Sequence, residues 1–183
     1  MSPVVSPGLE SRLRGAIAAI DGHMDVWAVF EDAELFGAVV DALAGALEPL
    51  DPDKIVSVES RGFLLGGAVA ARLGIGFVAV RKPGSLFPGE KVSIVTDPDY
   101  RGNNTELRLL VRSVGPGDRV AMVDDWIEMG AQALAVRSLV LAQGASFLGL
   151  AAMVDGSREE IAEAVPVICS LVDGDSLDDG ENG

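Results

Sequence analysis

Cysteine is almost absent from this 183-residue chain: Cys169 stands alone, inside the mostly apolar stretch 165–172. A single thiol cannot close an internal disulfide, so a reducing compartment, the cytoplasm, is the simpler expectation. Histidine is equally scarce, and with His23 as its one representative no mechanism that needs a histidine pair is available. Positive charge is also in deficit. The 14 Lys and Arg face 28 Asp and Glu, a formal net charge of −14, which argues against a nucleic-acid backbone as the main partner. No apolar run approaches the ~18 residues that a membrane span requires. Residues 1–8 hold no basic segment followed by an apolar one, so no secretory leader is expected. What is plentiful is hydrophobic residues, 49% of the chain, enough for one folded domain with a substantial core.

The few cations are unevenly spread. Arg61, Arg81, Lys82, Lys91, Arg101, Arg108 and Arg112 fall in one middle stretch. That marks a candidate anion site, set against the plainer reading of a solvated surface.

Hydrophobic spacing predicts an amphipathic helix over 9–20 and a stronger one capped by Asp32, with Leu35, Phe36, Val39, Val40, Leu43 and Leu47 on its apolar face. A buried strand at 54–58, a helix at 62–73 closed by Gly74, and a strand at 75–80 form a βαβ unit of a parallel sheet. Residues 82–100, rich in Pro and Gly, read as a long functional loop. Strands are expected at 105–111, 119–123, 146–154 and 165–172, and a helix at 132–142. The fold class is therefore α/β with a parallel sheet in a single domain over 1–172. The acidic segment 173–183 reads as a disordered tail.

The most informative stretch runs from Val120 to Ala133. A buried strand ends in Asp124-Asp125, a short loop carries Gly130, and a helix follows. In open α/β sheets ligands bind at the carboxyl ends of strands, and a helix N-terminus offers free N–H groups to a phosphate. Ionised carboxylates only accept hydrogen bonds, so the pair suits sugar hydroxyls or a hydrated divalent metal. Phosphate at the loop and a diol at the acids describe a ribose 5-phosphate. The bland alternative is that the two acids merely cap the strand and the next helix.

Val123-Asp124-Asp125 followed by a Gly-containing turn into a helix resembles the signature of the type I phosphoribosyltransferases, which bind phosphoribosyl pyrophosphate. Val58-Glu59-Ser60-Arg61-Gly62-Phe63 resembles the pyrophosphate loop of the adenine phosphoribosyltransferases, and the segment from Val80 to Gly89 resembles their next motif. Asp99-Tyr100 is similar to the Glu-Tyr pair of the family's flexible loop, and Val29-Phe30-Glu31-Asp32 to its base-binding segment. The likeness spans about residues 28–172 in the family's order. It implies the family's fold, with a small N-terminal hood and a flexible loop, and transfer of phosphoribose to adenine to give AMP and pyrophosphate.

The same resemblance implies the roles. Asp124 and Asp125 hold the ribose hydroxyls, and the backbone of Glu128, Met129, Gly130, Ala131 and Gln132 holds the 5′-phosphate. Arg61, Arg81 and Lys82 neutralise pyrophosphate with Mg²⁺, which is carried by the substrate and reaches Asp124 or Asp125 through water. Phe30 and Glu31 meet the base, and Asp99 and Tyr100 close over the site beside Arg61 as the catalytic set. Trp126 is expected to pack against the sheet. The implied partners are phosphoribosyl pyrophosphate, a free purine and a second copy of the chain in a homodimer, with no nucleic acid and no membrane. Three positions depart from the family. Met129-Gly130-Ala131-Gln132, preceded by Glu128, stands where it usually has Thr-Gly-Gly-Thr; Glu31 replaces a basic residue; and residues are inserted around Gly102-Asn103-Asn104. These departures leave three alternatives: a different base, a ribosyl ligand without 5′-phosphate, or a non-catalytic phosphoribosyl pyrophosphate-binding regulator.

Overall fold

Asp32 begins the longest helix as the sequence predicts: its Oδ1 accepts the backbone N–H of Glu34 and of Leu35, both at 2.9 Å. The computed structural model describes residues 7–20, 23–84, 86–97, 103–156, 161 and 163–178. In chain order these form α1 (Pro7–Ala16), β1 (Ala18–Ile20), β2 (His23–Asp25), α2 (Trp27–Glu31), α3 (Ala33–Leu47), β3 (Lys54–Val58), α4 (Arg61–Leu73) and β4 (Gly76–Arg81). There follow β5 (Lys91–Val95), β6 (Glu106–Leu110), β7 (Arg119–Ile127), α5 (Ala131–Ala142), β8 (Ser146–Asp155), β9 (Val167–Asp173) and α6 (Asp175–Asp178). Among the described residues no helix is long and apolar enough to cross a membrane.

One seven-stranded sheet, ordered β5-β6-β4-β3-β7-β8-β9, organises the molecule. The five strands from β4 to β9 in that order are parallel, and β6 and β5 continue it as antiparallel strands. Alternation of side chains assigns the two faces. Ile55, Ala121, Val123, Ala151 and Met153 pack with Leu13, Val39, Leu43, Leu65 and Val69 of α1, α3 and α4. Val56, Val58, Val120, Met122, Leu150 and Ala152 pack with Ala133, Val136, Leu139 and Val140 of α5. The α/β class with a mostly parallel sheet is thus as expected.

Four local expectations are corrected. The first helix stops at Ala16, and Ala18–Ile20 pairs antiparallel with His23–Asp25. Strand pairing satisfies the backbone there, although the spacing of apolar residues also suits a helix. Residues 82–100 are not all loop, because Lys91–Val95 forms an edge strand on β6 from Lys91↔Leu110 to Val95↔Glu106. Its Pro and Gly flanks masked a strand that exists by virtue of a distant partner. The strand expected at 119–123 continues to Ile127, held by β8 through Asp124↔Ala152 and Trp126↔Val154. Finally, the segment from Asp173 is ordered at its start. Asp173 ends β9, Asp175–Asp178 is helical, Leu177 packs on the core and Arg14 Nη1 donates to Ser176 O at 3.1 Å. Residues 179–183 lie outside the described residues.

The amino ends of the central strands are tied together by Asp118. Its Oδ2 accepts from Lys54 Nζ at 2.7 Å and from Gly115 N–H at 2.7 Å, while Lys54 Nζ also donates to Ser113 O at 3.0 Å. Hydrogen bonding from Lys54, then from Gly115, holds the Asp118 carboxyl below its ordinary value. Asp118 therefore contributes stability above the unfolded aspartate pKa of about 3.9, and that contribution is lost as pH falls through the lower folded value. Asp118→Asn should cost about 1–2 kcal/mol at pH 7 in denaturant unfolding, with the difference from the parent vanishing in strong acid. A difference that persists unchanged at pH 2 would contradict an ionic origin.

Candidate active site

Strand β3 connects through α4 to β4 on one side of the sheet, and β7 connects through α5 to β8 on the other. β3 and β7 run parallel, but their connections step to opposite sides of the sheet, and crevices for ligands open at such a point. The two strands pair from Lys54↔Val120 to Val56↔Met122. Beyond that register Ser57, fully buried, turns its hydroxyl across the gap and donates to Val123 O at 2.7 Å. Helix α4 follows closely over this point. A Cβ on Gly66 would meet Ser57 Oγ at 1.9 Å, and one on Gly62 would meet Asp124 Oδ1 at 2.9 Å. The two glycines, one helical turn apart, let α4 seat against the acid pair.

A cleft of about 430 Å³ lies above this split, walled by the ends of β3 and β7 and by the first turns of α4 and α5. Asp124 and Asp125 form its floor. Asp125 is 5% exposed, and Arg61 Nε approaches its Oδ2 at 2.8 Å. That contact is an ion pair without hydrogen-bond alignment, so Oδ2 is a buried acceptor lacking a directed donor. Asp124 Oδ1 accepts the Asp125 N–H at 3.0 Å. Burial, then the neighbouring Asp125 charge, pushes the Asp124 carboxyl well above the ordinary range. Burial also raises Asp125, opposed first by the Arg61 guanidinium, and the Lys82 ammonium lowers both. Asp125 Oδ2 lacks a directed donor, and a ligand that brings hydroxyls or positive charge stabilises the ionised form of the pair.

The adjacent cations Arg81 and Lys82 divide. Arg81 Nε donates to Glu59 Oε2 at 2.9 Å, its Nη1 donates to Leu86 O at 3.2 Å, and its guanidinium lies 5.8 Å from the centre of the Phe87 ring. It does not line the cleft, whereas Lys82 does. Neighbours at a strand end project to opposite sides, which separates their roles. Glu59 is the organiser here, accepting Arg81 Nε and the Lys82 backbone N–H with its two oxygens.

Residues Glu128, Met129, Gly130, Ala131 and Gln132 all line the cleft. Gly130 has φ of 73°, and a Cβ there would lie 2.0 Å from Ile161 Cδ1, so the turn needs glycine on both counts. Helix α5 starts without a side-chain cap, and its first backbone bond is Leu134 N–H to Gly130 O. The N–H groups of Ala131, Gln132 and Ala133 are left at the cleft end of the helix.

Some expected residues are not brought to the cleft. Phe30 packs edge-on between Trp27 and Phe36, with ring centres 5.7 and 5.4 Å away, and Glu31 is exposed at the end of α2. Neither lines the cleft. Asp99 and Tyr100 lie outside the described residues. The segment that carries them is clamped at its base. Thr96 N–H donates to Thr105 O at 2.9 Å, Thr105 N–H donates to Thr96 Oγ1 at 3.0 Å and Asn104 Nδ2 donates to Thr96 O at 2.8 Å. Thr96, Asp97 and Thr105 line the cleft, a contribution the sequence reading missed because the pairing of β5 with β6 was not foreseen. Trp126 was expected to pack on the sheet. It does so in part, yet it is also the one aromatic among the described cleft residues.

No family profile matches the chain. An adenine phosphoribosyltransferase of Desulfitobacterium hafniense is 39% identical over 131 residues, covering 72% of this chain and 74% of that one. The crystal structure of adenine phosphoribosyltransferase from Rhodothermus marinus superimposes with a TM-score of 0.81 at 30% identity, over 91% of this chain and 98% of that one. The enzyme of Giardia lamblia complexed with 9-deazaadenine gives a TM-score of 0.80 at 26% identity, over 94% and 98%. At that identity and coverage these similarities fix the descent: the chain belongs to the adenine phosphoribosyltransferase family.

Proposed function

We propose that the cleft transfers phosphoribose from phosphoribosyl pyrophosphate to adenine, giving AMP and pyrophosphate. A bond forms between a ring nitrogen of adenine and C1 of the ribose, the bond from C1 to the pyrophosphate oxygen breaks, and the base loses its proton. The observation that carries this reading is the acid pair at the switch point, half-buried Asp124 and buried Asp125 with its donor-poor Oδ2, lining one cleft with Arg61 and Lys82. The carboxylates accept hydrogen bonds from the two ribose hydroxyls and stabilise the positive charge that develops on the sugar. Arg61 and Lys82 bind the departing pyrophosphate. The N–H groups at the start of α5 take the 5′-phosphate.

Among the described residues no cluster of three or more metal-ligating side chains exists. The buried acceptor of Asp125 does fit a hydrated cation carried by the ligand, so Asp124 or Asp125 would hold Mg²⁺ through water. Such an ion supplies neutralisation of the pyrophosphate charge. Asp99 and Tyr100, on the segment clamped by Thr96 and Thr105, are proposed to close over the bound substrates. For the base, Trp126 is proposed as the stacking wall because it lines the cleft, whereas Phe30 lies edge-on to Trp27 and Phe36 and does not. A cytoplasmic homodimer is proposed with this activity, with the exposed apolar side chains Leu64 and Phe77 as a candidate contact surface.

Release of pyrophosphate from phosphoribosyl pyrophosphate with Mg²⁺ and each free purine tests the reaction. Turnover with adenine is expected. Turnover with another base, or binding without turnover, would favour a different transferase or a non-catalytic regulator. Asp124→Asn combined with Asp125→Asn should lower kcat/KM by roughly 10²–10³-fold or more. Its melting temperature should be unchanged or higher, because a carboxylate whose folded pKa is raised costs stability when ionised. Met129→Thr restores a hydroxyl at the loop and should tighten phosphoribosyl pyrophosphate by about 1.5–3 kcal/mol in calorimetry if it is aligned. Trp126→Ala should weaken adenine by roughly 1–3 kcal/mol in KM. Phe30→Ala should instead leave KM for adenine unchanged while costing roughly 2–4 kcal/mol of stability. The reverse pattern would return the base to Phe30.

A further inference from the structure

The cations of the cleft are unevenly placed. Among the described residues they are Arg61 and Lys82, at the α4 end beside Glu59, Asp124 and Asp125, with Arg61 paired to Asp125. The stretch 126–133 at the α5 end carries no cation. It carries an exposed carboxylate, Glu128, two residues before the N-cap Gly130, and neither Met129 nor Ala131 has a side-chain donor. A phosphate at this end is held by backbone N–H groups and opposed by a neighbouring negative charge, on a chain whose formal net charge is already −14.

Resting on the reaction above, we infer that Glu128 keeps the 5′-phosphate subsite weak, so that the product nucleotide, which has no second anchor, leaves readily. The effect follows from where each ligand finds its holds. Phosphoribosyl pyrophosphate keeps its second anchor on Arg61 and Lys82 and tolerates the repulsion. AMP has lost the pyrophosphate and retains the end that Glu128 opposes. A phosphate monoester carries nearly two charges at neutral pH, and its repulsion from one carboxylate in a water-accessible cleft corresponds to about tenfold in affinity. Repulsion acts equally on the 5′-phosphate of substrate and product. Its consequence differs because the product has no other strong charge contact.

The competing role for Glu128 is structural. An acid beside a helix N-terminus stabilises the helix through its dipole. The two roles separate in one experiment on the full chain. Calorimetry with AMP and, separately, with Mg²⁺-pyrophosphate is run on the parent protein and on Glu128→Gln, alongside melting of the ligand-free proteins. AMP should bind about tenfold tighter to Glu128→Gln, while pyrophosphate, which occupies the opposite end, stays within twofold. In turnover assays, inhibition by AMP should strengthen by the same factor. Unchanged AMP affinity with a lowered melting temperature would assign Glu128 to helix stabilisation and overturn the inference. Equal tightening of both ligands would reduce it to a general charge effect and overturn it as well. The split between AMP and pyrophosphate is read without catalysis. Failure of turnover with the split intact would sink the transferase reading alone, and turnover with no split would sink this one alone.

Discussion

Everything at the active site depends on β3 and β7 parting after Met122. Parallel strands held together along their whole length leave no crevice, and strands that part leave carbonyls without donors. Ser57 resolves this by spending its hydroxyl on Val123 O, inside the core and away from water. One carbonyl at the split thereby keeps a donor where the ladder between the two strands has ended. Gly62 and Gly66 then let α4 come down over the split, and the helix start reaches Asp124 and Asp125. A side chain at either glycine would lift the helix and with it Arg61.

The acid pair is unfavourable when ligand-free and useful for that reason. Burial and mutual charge oppose ionisation of Asp124, while Arg61 and Lys82 pull the other way. Groups balanced in this manner respond strongly to an incoming donor or cation, which is what a cationic sugar transition state provides. Selection between β4's two terminal cations follows from strand geometry. Glu59 draws Arg81 into the support of the loop, and Lys82 is left at the cleft. The α5 end is built differently. It has a glycine turn, backbone N–H groups and an acid, so what it offers an anion is peptide N–H and not side-chain charge.

The sequence by itself determined the α/β class, the Asp32 cap, the glycine turn before α5 and the motif order that places Arg61, Lys82, Asp124, Asp125 and residues 128–132 around one cleft. These are local: hydrophobic period, capping chemistry and short motifs are written in contiguous residues. Only the tertiary structure decided what depends on distant partners. The strand Lys91–Val95 exists because β6 lies beside it, and Ala18–Ile20 is a strand because His23–Asp25 returns along it. Arg81 and Lys82 look alike in the sequence, and Glu59, 22 positions before Arg81, separates them. The resemblance assigns Phe30 to the base, and Trp126 is expected to pack on the sheet. Phe30 lies edge-on to Trp27 and Phe36 away from the described cleft residues, and extension of β7 along β8 sets Trp126 at the cleft, because side-chain direction is fixed by neighbours that no local window contains.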